Sequence, residues 1–518
     1  MRSEKLFRPF IRPMFNSHCG GIRLDEVSLM KRIGALLLCG ILLLPAAGAS
    51  GTPWPAWAAE ALAWGREKSV SRAFLASPGQ RLTRGAVARL LYESAGQPAA
   101  HEECPFSDVS EKDAAAVGWA AGQGYLTGVG DGTYEPGRPV TRQEFAAILW
   151  RQAGTPEVPV QGLERFGDAG TVSEWARDAV LWCQQAGVMA GRSGDKLAPE
   201  DTITTAEALV MLERAAGLPD VGQLRDDLEI LAAHHRPVGS QGEADAVRYL
   251  RDRFEEMGYS VTLQPYTDGQ GRTGHNVAAV KAASVPDADI LVLSAHHDSV
   301  PTAYGANDNA SGVAALLYTA EALRNVPTDT EVRFLSFTDE ENGKNGSRTY
   351  TASLTEEERT RIVGAIQFDM LGGLGSTGTL VCTVDGEANW VSDLLQKKNP
   401  GLESGVETAS DHTSFQLSGI PAVLLMQRGR GYLYHSAADT AEQLDLYAIA
   451  AAADSAAAAA EEICSADTPS YRALAREQGE RGAYRQTRQN MIYFGSSRAD
   501  TEAYIGAAGE PVGAREIS

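Results

Sequence analysis

The fold of this chain is constrained most strongly by four short, largely apolar runs. Each run is followed closely by residues that can bind a metal ion. The clearest run covers residues 290–295, and runs of similar length occupy 332–337, 362–368 and 422–426. Such runs are typical of strands that are buried on both faces, as in a parallel sheet covered by helices. The sequence therefore predicts an α/β domain in which a mostly parallel sheet is flanked by helices.

The residues that come after these runs carry imidazole and carboxylate groups. They are His296, Glu340 with Glu341, Asp369, and His435 on the loop beyond the last run. In open α/β sheets, ligands collect outside the carboxyl ends of the strands, so we expect these side chains to meet at one edge. Two imidazoles with several carboxylates form a ligand set suited to zinc or another borderline divalent ion.

A further acidic residue, Asp308, lies in the segment 305–312, where small residues precede a predicted helix. Positions 313, 316, 317, 320 and 323 place apolar side chains on one face of that helix. The small residues allow the start of the helix to pack close to the expected metal site. A carboxylate there can bridge two cations held about 3.5–4 Å apart, the usual spacing in two-metal sites.

Together these segments resemble peptidase family M28, the co-catalytic zinc peptidases that include bacterial secreted aminopeptidases. The similarity covers residues 222–466 and rests on five motifs. They read His296-His297-Asp298-Ser299, Gly305-Ala306-Asn307-Asp308-Asn309-Ala310-Ser311-Gly312, Glu340-Glu341-Asn342-Gly343-Lys344-Asn345-Gly346-Ser347, Asp369-Met370, and Tyr434-His435-Ser436-Ala437-Ala438-Asp439-Thr440. Lys344 stands where relatives usually carry Leu, and Ala437 where Pro is common, but neither is an expected ligand. The resemblance implies a mixed, mostly parallel sheet of the zinc exopeptidase type.

The resemblance also implies two zinc ions and a set of ligands for them. His296 and Asp369 would hold one ion, Glu341 and His435 would hold the other, and Asp308 would bridge the two.

Three further residues receive roles from the resemblance. Asp298 would orient the ring of His296 by a hydrogen bond, which fixes a metal-bound imidazole. Glu340 would be the general base that takes a proton from the attacking water and passes it to the leaving amine. Tyr434 would be a candidate donor to the developing oxyanion. His297 fills the variable position of its motif and is not an expected ligand.

The expected activity is that of an exopeptidase, most simply an aminopeptidase that removes N-terminal residues from peptides. A carboxypeptidase and a glutaminyl-cyclase-like enzyme on the same fold are the alternatives among enzymes. Cyclases work with one zinc, so the intact Asp308 segment argues against them. An inactive peptidase domain in a wall-binding protein is a third alternative. The presence of every catalytic residue type argues against it.

The first 49 residues are predicted to be a leader with a secretory signal peptide. Lys31 and Arg32 precede an apolar run of twelve residues, 33–44, and Ala47-Gly48-Ala49 follows as a cleavage signal. A run of twelve is shorter than the roughly twenty residues of a spanning helix. Translation could begin at Met30, because the residues before it fit no targeting pattern. We therefore expect export and no transmembrane span after cleavage.

Between the leader and the peptidase segment, a unit of about sixty residues is repeated. Its three copies cover about 52–101, 104–154 and 164–217, and each reads as a helix, a Gly-rich loop and a second helix capped by Thr. The shared elements are Phe106-Ser107-Asp108 with Phe166-Gly167-Asp168, Trp119-Ala120 with Trp175-Ala176, and Thr141-Arg142-Gln143-Glu144 with Thr204-Thr205-Ala206-Glu207, with Trp57-Ala58 and Thr83-Arg84 in a degenerate first copy.

These units resemble S-layer homology repeats, which imply an all-α domain that holds an exported protein on cell-wall secondary polysaccharide in Gram-positive-type bacteria. The motif arginine is present as Arg84 and Arg142 but is replaced by Thr205 in the third copy. An arginine can pair with planar anions through two donors, and threonine cannot. Polymer binding is therefore less expected at the third copy, and a spacer that no longer binds polymer is the alternative.

Composition and the remaining segments complete the expectations. The chain has 67 acidic and 46 basic residues, a net charge of −21, which argues against nucleic acid as a partner. Four cysteines, Cys104, Cys183, Cys382 and Cys464, would remain after signal cleavage, with no pairing that the sequence can select. An Ala-rich closing helix is predicted over 446–464, and residues 467–518 are expected to be a mobile tail with a short helix near 472–488.

Overall fold

A computed structural model describes residues 53–99, 103–156, 158, 162–192, 195–374, 376–429, 431, 433–464 and 470–493, with side chains to residue 487. The residues described from Trp54 onward belong to one compact unit. The predicted leader and signal peptide lie outside the described residues. In the described part, no helix is both long enough and apolar enough to cross a membrane.

The N-terminal part of the described chain is helical, and the C-terminal part alternates helices with strands. The α-helices are α1 Ala59–Glu67, α2 Arg72–Leu75, α3 Arg84–Ser94, α4 Glu111–Gly122, α5 Arg142–Gln152, α6 Arg177–Gln185, α7 Thr205–Ala216, α8 Gly222–Leu231, α9 Gln241–Glu256, α10 Ser311–Leu323, α11 Asn345–Ser353, α12 Glu356–Arg361, α13 Trp390–Lys398, α14 His412–Leu417, α15 Leu446–Cys464 and α16 Arg472–Tyr493. The strands are β1 Ser260–Thr267, β2 Thr273–Lys281, β3 Ile290–His296, β4 Glu331–Phe337, β5 Ile362–Phe368, β6 Thr379–Thr383, β7 Glu403–Val406 and β8 Ala422–Gln427.

The eight strands form one mixed sheet in the order β1-β2-β4-β3-β5-β8-β6-β7. Its central strands β4, β3, β5 and β8 are parallel neighbours, while β1, β2 and β6 join the sheet through antiparallel pairs. The four predicted strands coincide with these four parallel strands. Because their carboxyl ends point the same way, the residues that follow them share one edge of the sheet, and the predicted fold class is confirmed.

Helices cover both faces of the sheet, which explains why β3 and β5 are buried at every residue. Alternate residues of β3 enter different cores: Leu291 and Leu293 pack in the larger core with α8, α10 and α15, and Ile290 and Val292 pack in a smaller core with Phe415. The helices α10 and α15 match their predicted ranges, and each contributes a long stripe of buried residues to the larger core.

The three helical repeats close into a ring around a common centre. Val140 N–H donates to Leu82 O at 3.0 Å, Ile203 N–H donates to Val140 O at 2.9 Å, and Leu82 N–H donates to Ile203 O at 3.0 Å. The helices α3, α5 and α7 begin next to this triangle, each capped by a threonine hydroxyl, at Thr83, Thr141 and Thr204. Their residues form a hydrophobic core of their own, separate from the cores of the sheet domain.

The motif arginines join neighbouring repeats through hydrogen bonds. Arg142 is 4% exposed, and its guanidinium donates to Leu197 O, Ala190 O and Glu207 Oε1 of the third repeat. Arg84 donates to Tyr134 O and Thr127 O of the second repeat. These contacts give both arginines a role in joining the repeats, and direct binding of polymer by their side chains stays a prediction.

The C-terminal segment differs from the expected mobile tail. The helix near 472–488 is present as α16, but it packs on the sheet domain through polar and aromatic contacts. Tyr471 stacks on Trp390 with ring centroids 4.4 Å apart, and Arg472 donates to Asp289 at 2.5 Å. Gly479 lies very close to Gly419: a Cβ added to Gly479 would lie 1.8 Å from the carbonyl oxygen of Gly419. Residues 494–518 lie outside the described part. Among the described residues, Cys104, Cys183, Cys382 and Cys464 form no disulfide bond.

Candidate metal centre

The five predicted ligands meet at the carboxyl edge of the parallel strands, in two groups that share one residue. The first group is His296, Asp308 and Asp369, and the second is Asp308, Glu341 and His435. Within each group, one ligand atom from each residue lies within 4.8 Å of the others. The structure therefore brings together all five residues that the sequence placed at one site.

Asp308 stands between the two imidazoles. Its Oδ1 lies 3.4 Å from His296 Nε2, and its Oδ2 lies 3.2 Å from His435 Nε2. Asp369 Oδ1 is 3.5 Å from the same nitrogen of His296, and Glu341 Oε2 is 3.0 Å from that of His435. The two oxygens of Asp308 thus face different partners, which is the arrangement that a bridging carboxylate requires.

The chemistry of the donor set fits a pair of zinc ions. Four buried ligand atoms make no hydrogen bond, namely His296 Nε2, Glu341 Oε1, Asp369 Oδ1 and His435 Nε2. Buried polar atoms in native proteins are nearly always paired, so these atoms, which belong to the two ligand groups, need a partner of another kind. Imidazole nitrogens and carboxylate oxygens are ligands that zinc accepts.

Asp298 links the two halves of the site. Its Oδ1 lies 3.3 Å from His296 Nδ1, on the side of the ring away from Asp308. The same carboxylate accepts hydrogen bonds from the main-chain N–H groups of Glu340, at 3.0 Å, and Glu341, at 3.2 Å. Asp298 therefore fixes the turn that follows β4 as well as facing the imidazole.

Glu340 is buried beside the ligands without belonging to either group. It lines a small cleft together with Asp308, Asp369 and Tyr434. Burial, with the neighbouring carboxylates of Asp411 and Asp369, raises the pKa of the Glu340 carboxyl well above its usual value. When it is ionised, a carboxylate whose pKa is raised is a stronger base than an ordinary glutamate.

The ligand side chains shift one another's pKa values. Burial raises the pKa of Glu341 to about 8, and the adjacent Asp308 carboxylate adds to this shift. Burial would also raise the pKa of Asp308, but its contacts with His296 and His435 lower the pKa below the usual range. Asp308 is therefore more firmly ionised than Glu341.

Tyr434 lies at the rim of the cleft. Its ring stacks on that of His435, with centroids 3.7 Å apart and planes inclined by 20°. It lines the same cleft as Glu340. The structure therefore places Tyr434 beside the expected reaction centre.

Sequence reasoning missed two residues that hold the ligands. Asp439 accepts hydrogen bonds from the main-chain N–H groups of Asn307, at 2.7 Å, and Asp308, at 3.1 Å. Ser410 Oγ donates to Asp369 Oδ2 at 2.6 Å. Asp439 stands in the last of the five motifs, so the motif itself was the available signal, whereas nothing in the sequence pairs Ser410 with Asp369.

The other histidines near the motifs face away from the ligand cluster. The ring of His297 lies with Nδ1 2.9 Å from Ser336 Oγ. The Nε2 atom of the buried His412 lies 2.9 Å from Glu407 O, and burial lowers the pKa of His412 to about 4. Neither belongs to a ligand group in the described part of the chain.

A mixed sheet with two imidazoles and three carboxylates at its carboxyl edge defines a domain of the metallopeptidase class. Residues 276–460 match the family model described as Peptidase family M28, and residues 105–146 and 165–209 match that of the S-layer homology domain. The chain therefore combines a metallopeptidase domain of family M28 with S-layer homology repeats.

Curated relatives of known name share part of the chain. Aminopeptidase YwaD of Bacillus subtilis is 35% identical over 169 residues, which are 31% of this chain and 36% of that protein. Leupeptin-inactivating enzyme 1 of Streptomyces exfoliatus is 32% identical over 209 residues, which are 38% of this chain and 45% of that protein. The chain thus spans less than half the length of either relative.

Solved structures of aminopeptidases are also similar to part of the chain. The aminopeptidase from Aneurinibacillus sp. strain AM-1 is 25% identical, with a TM-score of 0.45, over 47% of this chain and 94% of that one. The zinc aminopeptidase BSAP from Bacillus subtilis is 18% identical, with a TM-score of 0.46, over 50% of this chain and 98% of that one.

Proposed function

We propose that this protein is an exported, cell-wall-associated exopeptidase with two zinc ions, and that it acts as an aminopeptidase on peptides. The observation that carries the proposal is the position of Asp308, whose two oxygens face His296 on one side and His435 on the other. A shared carboxylate between two ligand groups is what a two-metal hydrolase requires. The family match and the names of the relatives support peptide bonds as the substrate.

His296 and Asp369 would hold one zinc ion, Glu341 and His435 the other, and Asp308 would contact both. When bound, the two ions would polarise the scissile carbonyl group and make water a stronger acid. Every further contribution would come from side chains of the chain itself. Ser410 keeps one oxygen of Asp369 engaged, so that the other is directed to His296.

Glu340 would move the proton. One oxygen of its carboxylate would accept a proton from the attacking water and then donate it to the nitrogen of the leaving amine. The main-chain hydrogen bond to Asp298 holds Glu340 in place for both transfers. Asp298 would also keep the ring of His296 in one orientation. The phenol of Tyr434 would donate to the oxygen that gains negative charge.

The test of the enzymatic proposal is cleavage of matched peptides by the purified chain, with and without a chelator. An aminopeptidase cuts a peptide with a free N-terminus and spares its N-acetylated form, and the chelator abolishes the cleavage. Equal cleavage of both forms would favour a carboxypeptidase or an endopeptidase. Cyclisation of an N-terminal glutamine without hydrolysis would favour a glutaminyl-cyclase-like enzyme, and no reaction with any peptide would favour an inactive domain.

Attachment to the cell wall is the second part of the proposal, and it is supported by the S-layer homology repeats. A cavity of about 240 Å³ is lined by Arg84 of the first repeat, by Tyr134, Arg138 and Arg151 of the second, and by Trp175 of the third. Arginine with aromatic side chains suits an anionic polysaccharide, because the cation pairs with acid groups and a ring can pack on a sugar. Arg138 is half-exposed and already contacts Glu144 at 2.7 Å, so it is held at the cavity.

The cell-wall proposal predicts a difference between two arginines. Arg138 lines the cavity, whereas Arg192 of the third repeat is not among the lining residues and donates to both oxygens of Glu207, at 2.7 and 3.0 Å. Arg138→Ala in the full-length protein should reduce sedimentation with purified cell walls, and Arg192→Ala should reduce it less. If neither substitution changes sedimentation, or the unaltered protein stays in the supernatant, the repeats act only as a spacer.

A further inference from the structure

Arg236, in the loop between α8 and α9, is the most completely buried cation of the described chain near the metal centre. It is 1% exposed, yet no carboxylate of the described residues forms an ion pair with it. Its guanidinium donates instead to main-chain carbonyls. The acceptors are His297 O at 2.6 Å, Leu231 O at 2.5 Å, Tyr304 O at 2.7 Å, Gly305 O at 2.8 Å and, more weakly, His234 O at 3.3 Å.

These carbonyls belong to the segments that present the ligands. His297 lies between the ligand His296 and its partner Asp298, so Nε of Arg236 holds the main chain at that point. Tyr304 and Gly305 begin the segment that ends at Asp308. One planar group with five donors therefore fixes the distance between two ligand-bearing loops.

The packing around Gly305 shows how closely the second loop is held. Gly305 has a φ of 62°, and a Cβ added there would lie 2.3 Å from Asp308 O and 3.1 Å from Arg236 Nη2. The main chain of Arg236 is tied to the first loop as well, since its N–H donates to Ser299 Oγ at 2.9 Å. Both loops are thus anchored on the same residue.

The charge of Arg236 is balanced at a distance. Burial lowers the pKa of the guanidinium to about 10, while the carboxylates of Asp298, Asp439 and Asp308 act in the opposite direction. A buried cation is costly unless negative charges compensate for it. The interaction is mutual, so the cation also favours the ionised forms of the carboxylates around the metal centre.

We infer that Arg236 is a positioning residue, which sets the separation of the His296 and Asp308 loops and keeps the ligand cluster assembled before any metal binds. The inference rests on the proposed metal centre. The guanidinium of Arg236 orders the His296 and Asp308 loops, so their arrangement does not depend on zinc.

Arg236→Lys tests the inference, because lysine keeps the charge and loses the planar fork. Zinc affinity, measured by competition with a chromophoric chelator, should fall about 10- to 100-fold, as is typical when a partner of the ligands is lost. The matched control is Arg253→Lys on α9, since Arg253 is also largely buried but binds Asp227, away from the ligand loops. The control should lower the unfolding temperature and leave zinc affinity unchanged.

Wild-type zinc affinity for Arg236→Lys would overturn the inference. A second measurement uses the unaltered protein, so it does not depend on a variant that folds. Amide hydrogen exchange of residues 297–299 and 305–310 should be nearly as slow in chelator-treated protein as in zinc-loaded protein. Fast exchange that slows only on addition of zinc would also refute the inference. If the unaltered protein binds no zinc at all, the proposed function fails, while slow exchange would still support the role of Arg236 in holding the loops.

Discussion

The substitution Asp439→Asn should weaken the metal centre without removing any ligand. Asp439 is 1% exposed, and its two oxygens accept separate hydrogen bonds from the main-chain N–H groups of Asn307 and Asp308. Asparagine has one carbonyl oxygen, so it can accept only one of these two hydrogen bonds. Its amide nitrogen would face the other main-chain N–H group, which would lose its acceptor. The change should therefore loosen the main chain at the bridging ligand.

The magnitude follows from the bonds that are lost. A hydrogen bond to a charged group contributes about 1.5–3 kcal/mol, and an unsatisfied buried donor costs about 1–3 kcal/mol. Asp439→Asn loses one such bond and weakens the other, so we expect a loss of about 2–4 kcal/mol, shared between folding and zinc binding. Since 1.4 kcal/mol corresponds to a factor of ten, zinc affinity should fall by about tenfold or more.

A matched control lies six residues further along the chain. Asp445 also accepts from two main-chain N–H groups, those of Tyr447 at 3.0 Å and Ala448 at 3.1 Å, but through one oxygen and at the start of α15. Asp445→Asn can keep both bonds, so zinc affinity should not change. Titration of both chelator-treated variants with zinc measures the difference. Equal affinities for Asp439→Asn and the unaltered protein would refute the role assigned to this carboxylate.

Two further predictions concern catalysis and the junction between the repeats and the peptidase. Glu340→Gln should retain two zinc ions per chain and lose turnover by about a hundred- to ten-thousand-fold, because it removes the general base and no ligand. Glu341→Gln removes a ligand and should retain about one zinc ion. Metal analysis with kinetics distinguishes the two variants, and the reverse pattern would exchange the two assignments. Tyr447→Phe removes the hydroxyl that accepts a hydrogen bond from Trp182 Nε1 at 3.1 Å. The free energy of unfolding, measured with urea, should fall by about 1–3 kcal/mol, and peptidase activity should be kept. An unchanged free energy of unfolding would show that this contact contributes nothing to stability.

The sequence indicated the parts of the site that depend on local pattern. The strands β3, β4, β5 and β8 are visible as apolar runs, and the residues that follow them can only lie at the carboxyl edge. The contacts that hold the ligands join residues far apart in the chain, such as Arg236 with Gly305 and Asp439 with Asn307. No periodicity or composition records such pairs, so they became visible only in the structure.

The packing of α16 was hidden from the sequence for a different reason. The helix has almost no apolar face, because Arg, Gln and Glu occupy ten of its 22 positions and no apolar residues repeat along one side. It is held by the close approach of Gly479 to Gly419, by Gln478 Oε1, which accepts from the Trp390 N–H at 2.8 Å, and by Arg472 at its start. Contacts of this kind require small and polar residues in suitable places, and they leave no hydrophobic pattern to detect.

The triangle of main-chain hydrogen bonds among Leu82, Val140 and Ile203 has a consequence for how the repeats can change over time. In an open array of repeats, each unit contacts only its neighbours, and units can be gained or lost at the ends. A closed ring of three has no end, so the loss of one unit would expose the surfaces of both others. The degenerate first copy is therefore retained whether or not it binds polymer, because the other two copies cannot close without it.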